Sequence, residues 1–371
     1  MNENPVLGVF FHWLGGLAAG SFYVPYRGVK GWAWETYWLA GGFFSWIIAP
    51  WILALLLVPS PVAVLQQADG GCLFWTYFFG VLWGIGGLTF GLSVRYLGMS
   101  LGYAIALGFC SACGALIPPI FKGTLGQIAS SLDGRIVLGS IPVCLAGIAV
   151  SGLAGMSKEK ELTDEQKKSA VKEFSFFKGV AVAAFAGVMS ACMSFGFEAG
   201  KPIAAAAKTQ LLQHGSADLW QNLPVLIVVL LGGFTTNLAW CVFLNLKNRT
   251  TGQYLGPIAQ PARSQGQSGG ATAAAAPPLA RNYLLCALAG TTWYLQFFFY
   301  GMGQTRMGHY DYASWTLHMA SIIIFSTLWG IGLKEWKGAS QRTRMLMGLG
   351  LVVLIVSTLI AGYGYYLKPK E

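Results

Sequence analysis

Charged residues are scarce in this sequence, and their scarcity excludes a water-soluble globular protein. Only 10% of the 371 residues are Asp, Glu, Lys or Arg, whereas soluble domains carry about 25%. Hydrophobic residues make up 55% of the chain, so the polar side chains are too few to cover a water-exposed surface. The composition therefore indicates a membrane protein.

Clusters of metal-ligating or nucleophilic residues are also lacking. Among the seven cysteines, Cys110 and Cys113 lie three apart and share a helix face, but two thiols without a nearby His, Asp or Glu do not make a metal site. The few, widely spaced histidines provide neither a nucleophile with its base nor a set of metal ligands. We predict that the protein is not an enzyme and binds no metal or cofactor.

A basic face is missing too, although the formal net charge is +10. Nearly all Lys and Arg residues lie in short connections between apolar segments, where they act as topology signals. No basic stretch is interleaved with aromatic residues, and this argues against nucleic-acid binding.

Long apolar runs fill most of the chain. About 20 apolar residues in a helix span the hydrocarbon core of a bilayer. The predicted fold is therefore all-α, a polytopic membrane protein with ten transmembrane helices. The first helix is not expected to be a cleaved signal peptide, because no basic region precedes it. The predicted spans are 5–24, 36–58, 71–94, 99–120, 135–155, 178–198, 222–246, 281–302, 313–333 and 345–367. Pro118 and Pro119 are predicted to end the fourth helix, whereas Pro50 and Pro142 are predicted to kink the spans that contain them.

Two polar linkers organise the chain. Residues 156–177 are charged, are predicted to form a short surface helix on the cytoplasmic side, and separate a first five-helix half (1–155) from a second (178–371). Residues 247–280 include a low-complexity run and are predicted to be a flexible loop within the second half.

A faint internal repeat relates the two halves. At an offset of 210 residues, Trp83 aligns with Trp293, each in the third helix of its half. Because five is an odd number, such a repeat is inverted in the membrane, an architecture that places a transporter's substrate near the midplane between the halves.

The distribution of basic residues predicts the orientation. Arg135, Lys178 and Arg281 begin spans and are counted with the connections before them. On this count the connections after helices 1, 3, 5, 7 and 9 hold 17 Lys and Arg residues, and the remaining polar segments hold 7. Cytoplasmic loops carry the excess of Lys and Arg, so both termini are predicted to lie outside the cytoplasm.

Three polar side chains are predicted to lie at one depth. His12 and His318 come about 10 Å and 8 Å after the starts of spans 1 and 9, and Gln296 comes about 9 Å before the end of span 8. These ends lie on the same side of the membrane. We expect the three residues to line one polar cavity; the alternative is that each is hydrogen-bonded separately between neighbouring helices.

Acidic residues near the ends of the spans are candidates for proton coupling. Asp311 lies seven residues before His318, on the same helical face, but it also suits the amino-terminal cap of that helix. Glu35 lies at the start of span 2, where an anion also suits the helix dipole. Glu198 and Lys201 are predicted to form a local ion pair.

Buried amide and aromatic side chains complete the candidate site. Asn237 is predicted to form an interhelical hydrogen bond and is a candidate substrate ligand. Trp293, Trp315 and Tyr312 belong to an aromatic-rich region whose rings suit the C–H faces of a sugar. Gln, Asp and His side chains would take the hydroxyl groups, and a methyl-bearing deoxy sugar would suit such a pocket further.

Several of these residues belong to long sequence blocks that resemble one transporter family. The blocks are Trp34–Thr36, Arg95–Ser100, Trp293–Tyr300 and Tyr310–Trp315. They are similar to the L-rhamnose:proton symporter family of the drug/metabolite transporter superfamily, and the similarity extends over nearly the whole chain. The resemblance implies a ten-helix bacterial inner-membrane symporter that takes up rhamnose with protons.

The function predicted from the sequence is therefore proton-coupled import of L-rhamnose or a related 6-deoxy sugar by alternating access. Asp311 or Glu35 is the preferred proton carrier, and His12 and His318 remain candidates because an imidazole titrates near neutral pH. The alternatives are export of another small metabolite by the same fold and a membrane receptor without transport. A receptor would require a soluble output domain, for which the linkers are too short.

Overall fold

The computed structural model describes residues 4–97, 99–161, 176–256, 279–334 and 336–367, and all regular elements among them are helices. Ten of the helices are long, and we number these α1 to α10 in chain order. Nine of the ten are long and apolar enough to cross a membrane, and α8 falls short in hydropathy. The long helices are Pro5–Ser21, Trp34–Leu57, Gly70–Leu97, Met99–Phe121, Leu132–Lys160, Phe176–Ala199, Leu223–Asn248, Leu279–Gln304, Ser314–Gly332 and Gln341–Tyr366.

Local sequence signals set where the helices begin. Asn4 caps α1 by accepting a hydrogen bond from the Leu7 amide at 3.1 Å. Ser340 caps α10 in the same way through the Thr343 amide at 3.2 Å. Prolines occupy the first turns of α1 and α7. Backbone N–H groups there have no acceptor within the helix, so the N–H that proline lacks is not missed by any carbonyl.

The fourth helix ends at Phe121, one residue beyond the predicted span, and Pro118 and Pro119 lie inside its last turn. A proline inside a helix deprives the carbonyl four residues earlier of its donor. For Pro118 that carbonyl belongs to Gly114, and it accepts a hydrogen bond from Ser194 Oγ of α6 at 2.8 Å. A neighbouring helix thus supplies the missing donor, as membrane helices require.

The linkers are seen in part. The segment predicted as a surface helix begins as a continuation of α5 to Lys160, and residues 162–175 lie outside the described residues. Glu161 accepts hydrogen bonds from the Ser340 amide and hydroxyl, and bonds from Ser340 and Thr343 lower the pKa of its carboxyl group. In the loop between α7 and α8, residues up to 256 are described and 257–278 are not.

The main contacts between helices are equivalent in the two halves, so that each has a counterpart when α1–α5 are exchanged with α6–α10. α1 packs against α8 and α9, and α6 packs against α3 and α4. α2 packs against α7 and α8, α7 also packs against α3, and α5 packs against α10. The centre of the bundle is formed mainly by α2, α3, α7 and α8.

Small residues allow the closest of these contacts. A Cβ on Gly80 of α3 would collide with the Val229 carbonyl oxygen of α7, whereas a Cβ on Gly87 of α3 would meet nothing within 4 Å. Helices in lipid associate through such close backbone approach rather than through the hydrophobic effect.

The two glycines offer a matched test of this packing. We expect Gly80→Ala to destabilise the detergent-solubilised protein by about 1–3 kcal/mol, because the methyl group forces α3 and α7 apart. Gly87→Ala should be neutral or slightly stabilising, because alanine favours the helix. Thermal unfolding monitored by size-exclusion chromatography would measure both, and equal behaviour of the two variants would contradict the packing described here.

Candidate functional site

A cavity of about 500 Å³ opens at one end of the bundle. We call this end, at which the odd-numbered helices begin, face A, and the opposite end face B. The cavity lies between the carboxyl ends of α4 and α6 and the starts of α5 and α9. Its lining consists of Pro118, Pro119, Lys122, Thr124, Gln127, Ile128, Ser131, Glu198, Lys201, Gly308, Asp311 and Tyr312.

Four charged side chains of the lining form a chain of alternating sign, and we call Lys122, Glu198, Lys201 and Asp311 the charged quartet. Glu198 pairs with Lys122 and lies 2.9 Å from Lys201, measured from Oε2 to Nζ. Lys201 Nζ lies 2.6 Å from Asp311 Oδ2. The predicted ion pair between Glu198 and Lys201 is therefore confirmed, and it is one link of a longer chain.

Lys201 holds the centre of the quartet as a permanent cation. Burial opposes its charge, but the carboxylates of Asp311 and Glu198 outweigh burial and raise the Lys201 pKa above its usual 10.5. A lysine with a raised pKa keeps its proton until the pH exceeds that value. Lys201 is therefore not the group that gains and loses a proton near neutral pH.

Asp311 does not cap α9, and this interpretation of the sequence is wrong. Asp311 lies in the 3₁₀ turn Gly308–Ala313, Ala313 occupies the capping position, and no side chain hydrogen-bonds there. Lys201 instead holds the carboxylate in the cavity. Because Asp311 precedes the α-helix, it does not share a helical face with His318 as predicted.

A buried layer of aromatic and histidine rings lies further from face A along α9. His12 and His318 flank Tyr300, with ring centroids 5.3 Å from Tyr300 in both cases. Trp315 packs edge-on at 5.6 Å from Tyr300, and its indole N–H donates to the Cys110 carbonyl at 3.1 Å. The polar atom of Trp315 is therefore already used within the protein.

Gln296 adjoins the same layer. A Cβ on Gly15 of α1 would lie 2.8 Å from the Gln296 carbonyl oxygen and 3.2 Å from His318 Cε1. The three residues predicted to share one depth, His12, Gln296 and His318, are thus neighbours around α1. Each is at most 5% exposed, and in this conformation none of them lines the face A cavity.

The two histidines retain unused hydrogen-bonding capacity. Both ring nitrogens of His12 and of His318 are buried and have no hydrogen-bond partner among the described residues. The hydroxyl of Tyr312, which lines the cavity, is in the same state. An unsatisfied buried polar group costs about 1–3 kcal/mol, so a ligand that forms hydrogen bonds with these groups would be favoured.

A second polar network closes face B around Glu35. The Glu35 carboxylate accepts hydrogen bonds from Asn248 Nδ2 at 2.9 Å and Thr250 Oγ1 at 3.0 Å. The adjacent Thr36 hydroxyl donates to Gln253 Oε1 at 2.9 Å. Glu35 is 5% exposed, so this network joins the start of α2 to the end of α7 and the loop after it.

The other two candidate residues lie near the centre of the bundle. Asn237 of α7 accepts a hydrogen bond from Trp38 Nε1 of α2 at 3.1 Å and donates to the Gly233 carbonyl at 2.9 Å. The interhelical hydrogen bond predicted for Asn237 is thus present. Trp293 packs against Trp46 and does not line the face A cavity.

Sequence reasoning missed two groups of residues. It treated Lys122 only as a topology signal, although Lys122 pairs with Glu198 across the cavity. It also missed the partners of Glu35 on α7 and the following loop, 213 and 215 residues away. Neither pairing has a local signal, because each depends on how distant helix ends meet.

The fold and the cavity together define a multi-span membrane transporter. Helices suited to the bilayer surround a polar cavity that opens at one end of the bundle and is closed at the other by hydrogen bonds. Such one-sided access, with charged groups held between helices, is typical of proteins that carry solutes across membranes.

Comparison with known proteins gives the family. Residues 1–366 match the family described as L-rhamnose-proton symport protein (RhaT). An L-rhamnose-proton symporter of Cronobacter sakazakii is 37% identical over 366 residues, covering 98% of this chain and 99% of that protein. The proteins of the same name from Salmonella paratyphi B and Salmonella newport are 38% identical with the same coverage. The chain belongs to the L-rhamnose-proton symport protein family.

Cysteine labelling should distinguish the open face from the closed one. We expect a Gln127→Cys variant, whose side chain lines the cavity, to react with a membrane-impermeant thiol reagent applied to face A. A Thr36→Cys variant should resist the reagent from both faces, because Thr36 is 0% exposed within the face B network. The parent protein, whose seven cysteines are buried or half-buried, gives the background. Equal labelling of the two variants would contradict the one-sided opening.

Proposed function

We propose that this protein imports L-rhamnose together with a proton by alternating access. Family membership and relatives named L-rhamnose-proton symporter support the substrate and the coupling ion. The observation that carries the mechanism is the contrast between the two faces. Face A opens to the charged quartet, whereas face B is closed by the Glu35 network.

An inverted repeat of five plus five transmembrane helices would provide the two alternating states. Exchanging the halves converts the contact of α1 with α8 into that of α6 with α3, and the contact of α1 with α9 into that of α6 with α4. This equivalence, together with the alignment of Trp83 with Trp293, supports the repeat, and the inverted repeats of transporters bind substrate between the halves. It is also the arrangement expected of the drug/metabolite transporter superfamily.

We include α8 as the tenth transmembrane helix. It has 26 residues, which at 1.5 Å per residue exceeds the roughly 30 Å of the hydrocarbon core. Leu284 and Leu288 are 70% and 55% exposed on its outer surface, as lipid-facing residues would be. Polar and aromatic residues such as Gln296, which face inward, lower its mean hydropathy.

The excess of basic residues at face B supports a cytoplasmic location of that face in a bacterial inner-membrane protein. Face A and both termini would then lie on the outer side, and the cavity would receive sugar and protons from outside the cell. Labelling of Gln127→Cys in intact cells tests this orientation, since the opposite orientation would allow labelling only in inverted vesicles.

Asp311 is the proton carrier that the geometry favours. It lines the open cavity, and its partner Lys201 is a permanent cation. Protonation of Asp311 would remove its attraction to Lys201 and loosen the contact between the turn Gly308–Ala313, which precedes α9, and the start of the helix Lys201–Gln213. By linkage, the proton and the sugar must then strengthen each other's binding equally. Tyr312, His12 and His318 supply unsatisfied polar groups for the sugar hydroxyls.

Uptake by proteoliposomes tests the proposed function. With labelled L-rhamnose and an imposed pH gradient, acid outside, we expect accumulation above the external concentration and its loss when an uncoupler is added. Uptake that does not depend on the imposed pH gradient would contradict proton symport. Counterflow of another metabolite but not of rhamnose would favour the rival function as an exporter.

Two isosteric variants separate the candidate proton carriers. We expect Asp311→Asn to retain exchange of rhamnose across the membrane but to lose gradient-driven accumulation at least tenfold, because it cannot release a proton. Glu35→Gln should retain accumulation, since Glu35 serves as a hydrogen-bond acceptor in the closed face. The reverse result would assign coupling to Glu35 instead.

A further inference from the structure

Three tryptophans from three helices meet at the centre of the bundle. Trp46 of α2, Trp83 of α3 and Trp293 of α8 have ring centroids 5.6 to 6.4 Å apart in all three pairs. Trp46 stands edge-on to both other rings, at interplanar angles of 83° and 89°. We call these three residues the tryptophan cage.

The cage lies where the two proposed halves meet. Trp83 and Trp293 are the residues that align in the internal repeat, and the fold brings their rings to 5.6 Å from each other. Residues related by an inverted repeat approach one another only near the axis that relates the halves. That axis is where inverted-repeat transporters place their substrate.

The backbone of α2 departs from regular α-helix at this point. Trp46 lies in the π-helical turn Phe44–Ile48, which ends two residues before Pro50. Such single π-turns are rare and occur frequently at functional sites. Gly42 leaves room for the Trp46 ring, since a Cβ there would lie 2.8 Å from Trp46 Cε3.

One polar atom of the cage has no partner. Trp46 is 3% exposed, and its indole N–H is buried without a hydrogen-bond acceptor among the described residues. Trp38, two turns earlier on the same helix, shows the usual arrangement, because its N–H donates to Asn237. Trp46 also borders a gap of about 10 Å³, shared with Trp38, Trp293 and Ser45, which is near the size of one water molecule.

We propose that the tryptophan cage is a binding site for the 6-deoxyhexose itself, closed in this conformation, in which the Trp46 indole N–H donates to a sugar hydroxyl. The Trp83 and Trp293 rings would contact the C–H face and the C6 methyl group. The proposal rests on the proposed function and adds to it the residues that select a sugar with a methyl group at C6 in place of a hydroxymethyl group. Sugar would enter when Trp46 moves away from Trp293 and widens the gap between them.

The test measures Km and Vmax for L-rhamnose exchange in proteoliposomes. We expect Trp46→Phe, which keeps an aromatic ring but removes the N–H, to raise Km about tenfold, the effect of one lost hydrogen bond to substrate. Vmax per reconstituted protein should stay within about twofold. Trp240→Phe is the matched control, because Trp240 of α7 is 45% exposed on the outer surface and should not alter Km.

Selectivity provides a second and independent measurement. L-mannose differs from L-rhamnose only by a hydroxyl at C6, so competition between the two reports on contacts to the methyl group. We expect Trp83→Phe to reduce the preference for L-rhamnose at least fivefold. If Trp46→Phe folds poorly, which would lower Vmax without changing Km, Trp83→Phe still tests the cage.

The outcomes separate this inference from the proposed function. If the unaltered protein does not exchange L-rhamnose, the proposed function fails, and the cage as a rhamnose site fails with it. If the unaltered protein transports rhamnose while Trp46→Phe and Trp83→Phe keep its Km and its selectivity, the cage is packing only and the inference is overturned.

Discussion

The central constraint on this structure is that hydrocarbon offers no hydrogen-bond partners, so each buried polar group must find one within the protein. The chain meets this demand by long-range pairing. Ser194 satisfies the carbonyl that Pro118 leaves free, Asn237 satisfies Trp38, and the Cys110 carbonyl satisfies Trp315. Against this background the unsatisfied groups among the described residues are informative, and they include His12, His318, the Tyr312 hydroxyl and the Trp46 indole. Under the proposed function, sugar hydroxyl groups would form the hydrogen bonds that these groups lack.

The same constraint explains why the two faces differ. At face A the charged quartet is held by ion pairs around a cavity, where solvation lowers the cost of charge. At face B the buried carboxylate of Glu35 accepts hydrogen bonds from neutral donors on α7 and the loop after it. Protonation of a carboxylate would break an ion pair of the quartet, whereas opening of the face B network would require α2 to separate from the end of α7 and the loop after it.

Much of the fold was predictable from the sequence, and so were several residues of the candidate site. Apolar length determines helix position, and the depths of His12, Gln296 and His318 follow from counting residues along a helix. The ion pair of Glu198 and Lys201 was predictable because the two residues are neighbours on one stretch of chain. For Asp311 the sequence left a helix cap open as an alternative to proton coupling, because its partner Lys201 is 110 residues away and has no local signature.

The sequence by itself determined that this chain is a bundle of membrane helices and which family it belongs to, because hydropathy and contiguous motifs are properties of neighbouring residues. Only the tertiary structure decided which end is open, that Lys122 joins the quartet, and that Trp46 meets Trp83 and Trp293. The physical reason is that lipid-packed helices are arranged by close steric fit and by partners for single polar atoms. Those contacts join residues tens to hundreds of positions apart, and their energies do not appear in any local pattern.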